Sequence, residues 1–345
     1  MAGGIGSRFW PLSRVEKPKQ FIDALGIGKT FIQMTYDRFA RFIPKENFLV
    51  VTGVDYKELV LEQLPLLTSD QVLTEPTRKN TAPCIAYATY RLYKENPNAV
   101  VVVTPSDQYI GNEIVFGNVI QRNLEFASKH DALVTIGITP SFPATGYGYI
   151  ELAEKNSQIS KVAAFKEKPT LLVAQEFLIS GDYVWNSGMF IWSLNSIKKA
   201  LEMHLPDIAN AFDSISRVYG TQEELEVVNA TYLQSRSISI DYGVMEKANN
   251  VYVSCADFGW SDIGTWGSLY QQLDKDDEAN AFSGELITCS DTSGCLIKVL
   301  DQNKQIVIDG LKDYMVVDTN DVLMICPRKD EEKIKILIAH ASDKK

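Results

Sequence analysis

The amino-terminal segment combines glycines with a cation, a combination suited to phosphate binding. It reads Ala2-Gly3-Gly4-Ile5-Gly6-Ser7-Arg8. Glycines let backbone N–H groups approach phosphate closely, and arginine adds a forked donor for phosphoryl oxygens. Neither common fingerprint fits: a dinucleotide GxGxxG from Gly4 needs glycine at Phe9, and a P-loop through Gly28-Lys29-Thr30 needs glycine at Asp23. From these residues alone, a phosphate cradle and an ordinary turn both remain open.

A second basic cluster favours the phosphate interpretation. The chain has 34 Lys and Arg against 44 Asp and Glu, a net charge of −10, so a general affinity for nucleic acid is disfavoured. Any phosphate must then be bound by local cations. Arg14, Lys17 and Lys19 follow the glycines closely enough to supply them.

A metal ion bound by this chain would have to be held by oxygen ligands. Carboxylate oxygens, completed by water and substrate phosphate, are what Mg²⁺ prefers. The three histidines are too few for a histidine cage, and the five cysteines are scattered without a CxxC pair, which predicts reduced thiols. Taken alone, Asp107 and Asp262 are each better explained as a cap of the segment that follows.

Composition predicts an ordered globular protein of about two domains. The chain has 345 residues, 45% hydrophobic and 23% charged, against a prior of roughly 150 residues per domain. No stretch reaches the roughly 18 uncharged apolar residues of a membrane helix, and the first residues do not resemble an export signal. We therefore expect a cytoplasmic protein.

The first 140 residues alternate apolar runs with helical patterns. Strands are predicted at 48–53, 99–104 and 132–138, and helices at 55–67, with Asp55 as cap, and 113–129. The β-branched run at 99–104 is typical of a central parallel strand covered on both faces. The alternation predicts an α/β fold: a Rossmann-like open mixed sheet, mostly parallel, flanked by helices. Ligands bind at the carboxyl ends of such strands, where Asp107 lies.

The patterns in the second half of the sequence predict further helices, followed by a small β-rich domain. Helices are expected at 170–179, 195–203, 207–219 and 222–233, and a strand at 184–192. Beyond a polar bridge at 274–284, short β-rich runs fill 285–326, and a closing helix starts at Glu331. We predict a domain over 1–275 and a β-rich carboxyl-terminal domain over 283–345. The apolar run at 314–319 suggests an edge strand that a partner protects, hence a homodimer.

Seven blocks, in order across residues 2–266, resemble the sugar-1-phosphate nucleotidylyltransferases. They are AGGIGSRFWPLSR with KPKQF, EPTRKNTAP (75–83), PSD (105–107), TGYGYI (145–150), FKEKP (165–169), WNSGMF (185–190) and GWSD (259–262). The WPLSR form is similar to the mannose-1-phosphate guanylyltransferases among them. In that family the glycine-rich loop follows a buried strand, yet only Met1 and Ala2 precede Gly3. We therefore expect the natural chain to begin roughly 5 residues earlier.

The resemblance implies site residues and roles. Arg8 and Lys17 would contact the triphosphate, and Asp107 and Asp262 would hold Mg²⁺ beside the α-phosphate; these four form the implied catalytic group. The other implied residues fall into two sets. The nucleotide set is Ala2, Gly3, Gly4, Gly6, Ser7, Glu75, Asn80 and Thr81, and the sugar-phosphate set is Gly146, Glu167, Lys168 and Asn186.

Several of these assignments have structural alternatives. Asn80 or Thr81 is equally well explained as a helix N-cap, and Glu167 and Asn186 as structural hydrogen-bonding residues. Lys19 is a weaker candidate that would only steer anions. The resemblance implies transfer of GMP from GTP to mannose 1-phosphate, giving GDP-mannose and pyrophosphate. The alternatives are a relative using another hexose 1-phosphate or nucleotide, and a non-catalytic subunit that senses nucleotide sugars.

Overall fold

The computed structural model describes residues 1–4, 9–154, 157–334 and 336–338. The chain forms two compact units, each built from separate segments. Unit 1 comprises Met1–Gly3, Phe39–Pro105 and Ile110–Trp260, and unit 2 comprises Gly4–Arg38, Ser106–Tyr109 and Ser261–Lys345. The two-domain division at 1–275 and 283–345 is defined by composition and stays a prediction.

Unit 1 is built around a mixed six-stranded sheet. Its strands, with two that pair separately, are β1 (Val50–Gly53), β2 (Val72–Glu75), β3 (Val100–Val103), β5 (Leu133–Ile138), β6 (Tyr149–Leu152), β7 (Ile159–Lys166), β8 (Tyr183–Ser193) and β9 (Val251–Ala256). The short strands β4 (Tyr109–Ile110) and β10 (Trp260–Ser261) lie at the unit boundaries. The sheet order is β3-β8-β5-β9-β7-β6. Since β8 is antiparallel to both β3 and β5, and β5 is parallel to β9, strands β3, β5 and β9 share one direction.

Alternation along the strands gives this sheet a core on each face. Leu133 pairs with Trp192, and both belong to one buried cluster; the next pair, Val134 with Ile191, belongs to the other. Successive side chains of a strand point to opposite faces, so both faces need cover. Helices α4 (Glu113–Lys129), α5 (Leu171–Ser180) and α6 (Leu194–His204) contact strands of the sheet. The other helices of unit 1 are α2 (Lys57–Gln63), α3 (Thr81–Glu95), α7 (Pro206–Ser214) and α8 (Glu224–Gln234), while most of α1 (Phe31–Ala40) and all of α9 (Trp266–Gln272) belong to unit 2.

The α/β architecture with a β-rich carboxyl-terminal region is confirmed, and three local predictions are corrected. Strand β3 is half-buried and lies at the end of the described sheet, because β8 enters between it and β5. Helix α2 begins after a 3₁₀ turn with Tyr56 at its N-cap, so Asp55 does not cap it. The predicted helix at 207–219 stops at Ser214 and continues as a 3₁₀ turn.

The carboxyl-terminal part of unit 2 stacks short parallel strands. These are β11 (Ala281–Ser283), β12 (Ile287–Ser290), β13 (Leu296–Val299), β14 (Ile306–Asp309), β15 (Tyr314–Asp318) and the antiparallel β16 (Leu323–Pro327). Strand β15 is paired on both sides, with β13 and with β16. The prediction that this run forms an exposed edge is therefore wrong, because the later strand β16 covers it.

The same strands share a core with the amino-terminal part of unit 2. Phe9, Leu12 and Phe31 pack in one cluster with Met315 and Val317. The β-rich region therefore supports the segment that follows the glycines. After β16 the chain forms a 3₁₀ helix, Arg328–Lys333, in place of the start of the predicted closing helix. Among the described helices, none has the length and apolarity needed to cross a bilayer.

Candidate functional site

In unit 2, Lys19 lies against both predicted metal ligands. Its Nζ is 3.2 Å from Asp107 Oδ2 and also donates to the backbone carbonyl of Asp262. The Lys19 side chain is only 6% exposed, and Asp107 is 35% exposed. Two acidic residues far apart in sequence therefore lie beside one ammonium group.

Local structure explains why Lys19 is buried. It begins a short 3₁₀ helix, Lys19–Phe21, whose three residues are all buried. Its ammonium lies 5.0 Å from the Phe31 ring centroid and 5.8 Å from that of Phe9. Aromatic faces attract a cation while excluding water, so the charge is held in place by its surroundings.

The structural alternative for the two aspartates is not supported. Helix α4 is capped by Asn112 and helix α9 by Thr265, so neither Asp107 nor Asp262 is a helix cap. Asp262 Oδ1 instead accepts a hydrogen bond from the Gly264 backbone at 3.1 Å. Between them, Ile263 has φ of 38°, a conformation rare for a β-branched residue.

Glycine is required two residues after Asp262. A Cβ at Gly264 would lie 2.6 Å from Asp262 Oδ2, closer than atoms can approach. The strained turn therefore depends on glycine to hold the Asp262 carboxylate against the backbone. Strain of this kind is often found at functional sites.

These two aspartates fit a magnesium ion by donor type. Both offer carboxylate oxygens, and the described residues contain no group of three or more metal-ligating side chains. Mg²⁺ is commonly held by one or two carboxylates, with water and substrate phosphates completing its octahedron. The protein would then supply two ligands and the substrates the rest.

The other predicted cations differ in position. Lys17 is exposed in a tight turn whose backbone bonds pair it with Arg14. The Arg14 guanidinium contacts Asp321 at 2.9 Å and stacks over Trp10. Arg8, with Gly6 and Ser7, lies outside the described residues.

In unit 1, Glu75 presents a buried carboxyl at the end of β2. It is 8% exposed, and its Oε1 has no hydrogen-bond partner in the described part of the chain. Burial raises the pKa of Glu75 to about 7, although the Tyr232 hydroxyl and Arg78 act in the opposite direction. A Cβ at Gly3 would lie 3.5 Å from Glu75 Oε2, so the glycine backbone borders this carboxyl.

The neighbouring nucleotide candidates have structural roles. Asn80 is the N-cap of α3: at φ of 66° its side chain accepts from the Thr81 backbone at 2.9 Å. The Thr81 hydroxyl accepts from the Ile240 backbone at 2.9 Å. Ala2 is buried and pairs in parallel with Thr52 of β1, whereas Gly4 is exposed.

The sugar-phosphate candidates adjoin one another in unit 1. Lys168 Nζ is 3.1 Å from Glu167 Oε1, and Lys168 has φ of 37°. A Cβ at Gly146 would meet open space among the described residues, but a Cβ at Gly148 would lie 2.9 Å from Glu167 Oε2. Gly148 therefore lets the Glu167 carboxylate lie close to the backbone, and the role of Gly146 stays a prediction.

Asn186 lies on β8 in a hydrogen-bond network. Its Nδ2 donates to Asp241 Oδ1 at 2.8 Å, and its Oδ1 accepts from the Gly188 backbone at 3.1 Å. Its backbone N–H donates to the Gly148 carbonyl at 2.8 Å. Asn186 is thus fixed beside the Gly148 segment on which Glu167 packs.

Comparison with protein families identifies the family of this chain. Residues 1–279 match the family described as Nucleotidyl transferase. The chain belongs to the nucleotidyl transferase family. It is thus a nucleotidyltransferase, and the catalytic class expected from the sequence is confirmed.

Two relatives and one solved structure make the similarity more specific. A Vibrio cholerae protein named putative mannose-1-phosphate guanylyltransferase is 34% identical over 99% of this chain and 73% of its own length. A Salmonella typhimurium mannose-1-phosphate guanylyltransferase is 34% identical over 98% and 71%. A Thermus thermophilus crystal structure, described as mannose-1-phosphate geranyltransferase, has a TM-score of 0.89 at 29% identity, covering 99% of this chain and 98% of that one.

Two residues of this nucleotidyltransferase have partners that the sequence does not predict. Lys19 was assigned less weight than Lys17, although its apolar neighbours Pro18 and Phe21 were a signal for burial. No residue spacing in the sequence links Asp241 to Asn186. Both became visible through hydrogen bonds between distant parts of the chain.

Proposed function

We propose that this protein is a GTP-dependent mannose-1-phosphate guanylyltransferase. It transfers GMP from GTP to α-D-mannose 1-phosphate, giving GDP-mannose and pyrophosphate. The observation that supports this most directly is the buried Lys19 ammonium beside Asp107 and Asp262, in a chain whose relatives bear that name.

The chemistry needs charge compensation more than proton transfer. An anionic phosphate oxygen of mannose 1-phosphate attacks the α-phosphorus of GTP and forms a new P–O bond. The bond from the α-phosphorus to the bridging oxygen breaks, and that oxygen leaves with pyrophosphate. Because the nucleophile is already ionised near neutral pH, no general base is required. Positioning and electrostatic stabilisation are the main contributions of the protein.

Lys19 and the two aspartates supply the charges for this step. Mg²⁺, held by Asp107 and Asp262, would neutralise charge on the polyphosphate as a Lewis acid. The Lys19 ammonium, now paired with Asp107, is already desolvated and fixed, so it costs little reorganisation to stabilise a developing negative charge. Arg8 and Lys17 are proposed as further cations for the triphosphate, with the backbone of Gly3, Gly4, Gly6 and Ser7 as donors.

Glu75 is the proposed guanine contact. The Watson–Crick edge of guanine presents two adjacent donors, N1–H and the N2 amino group, and a carboxylate accepts both. The buried Oε1, which has no partner among the described residues, is the group that such a base would satisfy. Ala2, Asn80 and Thr81 remain nearby nucleotide contacts in the proposal, the last two through groups not used in capping.

Glu167, Lys168 and Asn186 are the proposed mannose 1-phosphate contacts. Lys168 would exchange its partner Glu167 for the sugar-linked phosphate. Glu167 would then accept hydrogen bonds from hexose hydroxyls, and Asn186 would donate one. Gly146, where a Cβ would meet open space in the described part of the chain, leaves room for the sugar to approach the backbone.

Pyrophosphate release tests the activity. We would assay GTP, ATP, UTP and dTTP, each with mannose 1-phosphate and with glucose 1-phosphate, in Mg²⁺. We expect GTP with mannose 1-phosphate to give the highest kcat/KM. A higher value for another pair would identify the related nucleotidylyltransferase. Nucleotide-sugar binding without turnover would indicate the sensing subunit instead.

We also propose that the protein is a cytoplasmic homodimer. Leu323 and Ile325 on β16 are more than half exposed and alternate with the buried Met324 and Cys326. An end strand with an apolar outer face is an aggregation hazard unless covered. Light scattering at micromolar concentration should give the mass of a dimer, and Ile325→Lys should shift it toward the monomer.

A further inference from the structure

A chain of hydrogen bonds in unit 1 runs from the sheet to a π-helical turn. The Thr135 hydroxyl of β5 donates to Asn186 Oδ1 at 3.3 Å, and the Gly188 backbone donates to the same oxygen at 3.1 Å. Asn186 Nδ2 then donates to Asp241 Oδ1 at 2.8 Å. Asp241 begins a π-helix, Asp241–Met245, an element often found at functional sites.

The network fixes which way the Asn186 amide faces. A backbone N–H can only donate, so the group facing Gly188 must be the amide oxygen. The amide nitrogen then faces Asp241, whose carboxylate accepts. Amide orientation is normally ambiguous and is assigned from partners; here both partners agree.

The fixed orientation limits what Asn186 offers a ligand. Its oxygen accepts from the Gly188 backbone, and the Thr135 hydroxyl, which is also 3.3 Å from the Met189 carbonyl, is a second donor within reach. One of its two amide hydrogens is bound by Asp241. Within this network, the group left for a ligand is a single N–H donor.

Asp241 also shares its electrostatic environment with two proposed sugar-phosphate residues. Burial raises the pKa of the Asp241 carboxyl, the Asn186 hydrogen bond lowers it, and the charge of Glu167 raises it again. Lys168 acts to lower the same pKa. Asp241 is therefore within electrostatic range of Glu167 and Lys168, as well as in contact with Asn186.

We propose that Asp241 is a positioning residue for the hexose. By accepting one Asn186 hydrogen, it directs the other toward an oxygen of a hexose hydroxyl and prevents Asn186 from acting as an acceptor. The inference rests on the proposed function and adds to it a residue whose effect is confined to the sugar. Nothing in this role concerns the nucleotide.

The test compares three variants at Asp241 and beside it. Asp241→Ala removes the acceptor and should raise KM for mannose 1-phosphate by roughly 10- to 100-fold, a range set by loss of a charge-assisted hydrogen bond. KM for GTP should stay within about twofold. Asp241→Asn keeps an acceptor oxygen and should restore KM to within about fivefold of wild type. Glu246→Gln, on the following turn, removes a nearby charge without touching Asn186 and should leave both KM values unchanged.

Deoxy sugars identify which hexose hydroxyl the Asn186 N–H contacts. Among 2-, 3- and 4-deoxymannose 1-phosphate, one should bind wild type poorly yet lose nothing further in Asp241→Ala, because that variant has already lost the contact. Equal increases in both KM values with a lowered thermal midpoint would overturn the proposal, since they indicate a structural role. So would an Asp241→Asn variant as impaired as Asp241→Ala, or no deoxy sugar showing the loss of coupling.

Calorimetric titration of mannose 1-phosphate separates this inference from the proposed function. Wild-type binding without turnover, weakened in Asp241→Ala, would reject the transferase proposal and support the role of Asp241. Turnover by the wild type, with an unchanged KM for mannose 1-phosphate in Asp241→Ala, would support the transferase proposal and reject the role of Asp241. Neither binding nor turnover in wild type would overturn both.

Discussion

Lys19 in unit 2 and two carboxyl groups in unit 1 have their charges compensated differently. In unit 2, Lys19 contacts Asp107, so opposite charges are already paired within the protein. In unit 1, Glu75 and Asp241 are carboxyls for which burial outweighs the nearby polar groups, and the pKa of each is raised. The Lys19 ammonium therefore has an ionic partner, whereas Glu75 and Asp241 are acceptors whose ionised forms burial disfavours.

In the proposed reaction, this difference would separate catalysis from substrate recognition. Paired, fixed charges suit a step in which negative charge moves along a phosphate chain. Buried carboxyls suit recognition, because a ligand lacking the right donors leaves them unsatisfied. Changes in unit 2 should lower turnover, and changes in unit 1 should alter substrate preference.

The largest expected effect is at Lys19. Lys19→Met keeps the length of the side chain and removes the ammonium, so kcat/KM should fall by about 10³-fold. Lys17→Met is the matched comparison, and its loss should be at most about tenfold because Lys17 is exposed. Pyrophosphate release with GTP and mannose 1-phosphate measures both. Equal losses of kcat/KM would show that Lys17 contributes as much to turnover as Lys19.

The next effect concerns the metal. Asp262→Asn weakens a proposed Mg²⁺ ligand, so the Mg²⁺ concentration for half-maximal rate should rise about tenfold or more. EDTA should abolish turnover of the wild type, and Mg²⁺ should restore it. The exposed Asp274→Asn serves as control. An unchanged Mg²⁺ requirement in Asp262→Asn would remove Asp262 from the metal site.

At Glu75 we expect a change in nucleotide specificity. Glu75→Gln replaces one acceptor oxygen by a donor facing guanine, and KM for GTP should rise by roughly 10- to 100-fold. KM for mannose 1-phosphate should stay within about twofold, and the preference for GTP over ATP should shrink. Exposed Glu58→Gln controls for the lost charge. A variant with full GTP preference would show that guanine is recognised elsewhere.

The smallest effect is a pH dependence of product binding. Because the pKa of Glu75 is raised to about 7, guanine must displace a proton from the unliganded protein at lower pH. Affinity for GDP-mannose, whose diphosphate does not titrate in this range, should fall about tenfold per pH unit below about 7 and level off above it. Calorimetry should detect proton release on binding at about pH 6. A flat profile in the wild type, matching Glu75→Gln, would contradict this assignment.

Much of the fold followed from local pattern. Helix α4 occupies the residues predicted, 113–129, because its apolar spacing and flanking polar residues act locally. The end of α5 was also predicted, since Gly181 adopts the left-handed conformation that a helix terminus favours. Strand order was not: β8, although distant in sequence, enters beside β3, and no local pattern encodes that pairing.

The candidate site was likewise predictable only in part from the sequence. Motifs identified Asp107, Asp262, Glu75 and Asn186 as candidates because acidic and amide side chains stood in recognisable blocks. Motifs favoured Lys17 over Lys19, because neighbouring lysines in a loop look alike in sequence until the fold exposes one and buries the other.

Residue chemistry and order along the chain thus determined the class of reaction and which side chains were eligible. Tertiary structure decided their partners: it buried Lys19 against two aspartates, left Glu75 Oε1 without a hydrogen bond from any described residue, and bound Asn186 to Asp241. The physical reason is that partnership and burial depend on contacts between segments far apart in the chain, and such contacts set whether a charge is paired, desolvated or presented to a ligand.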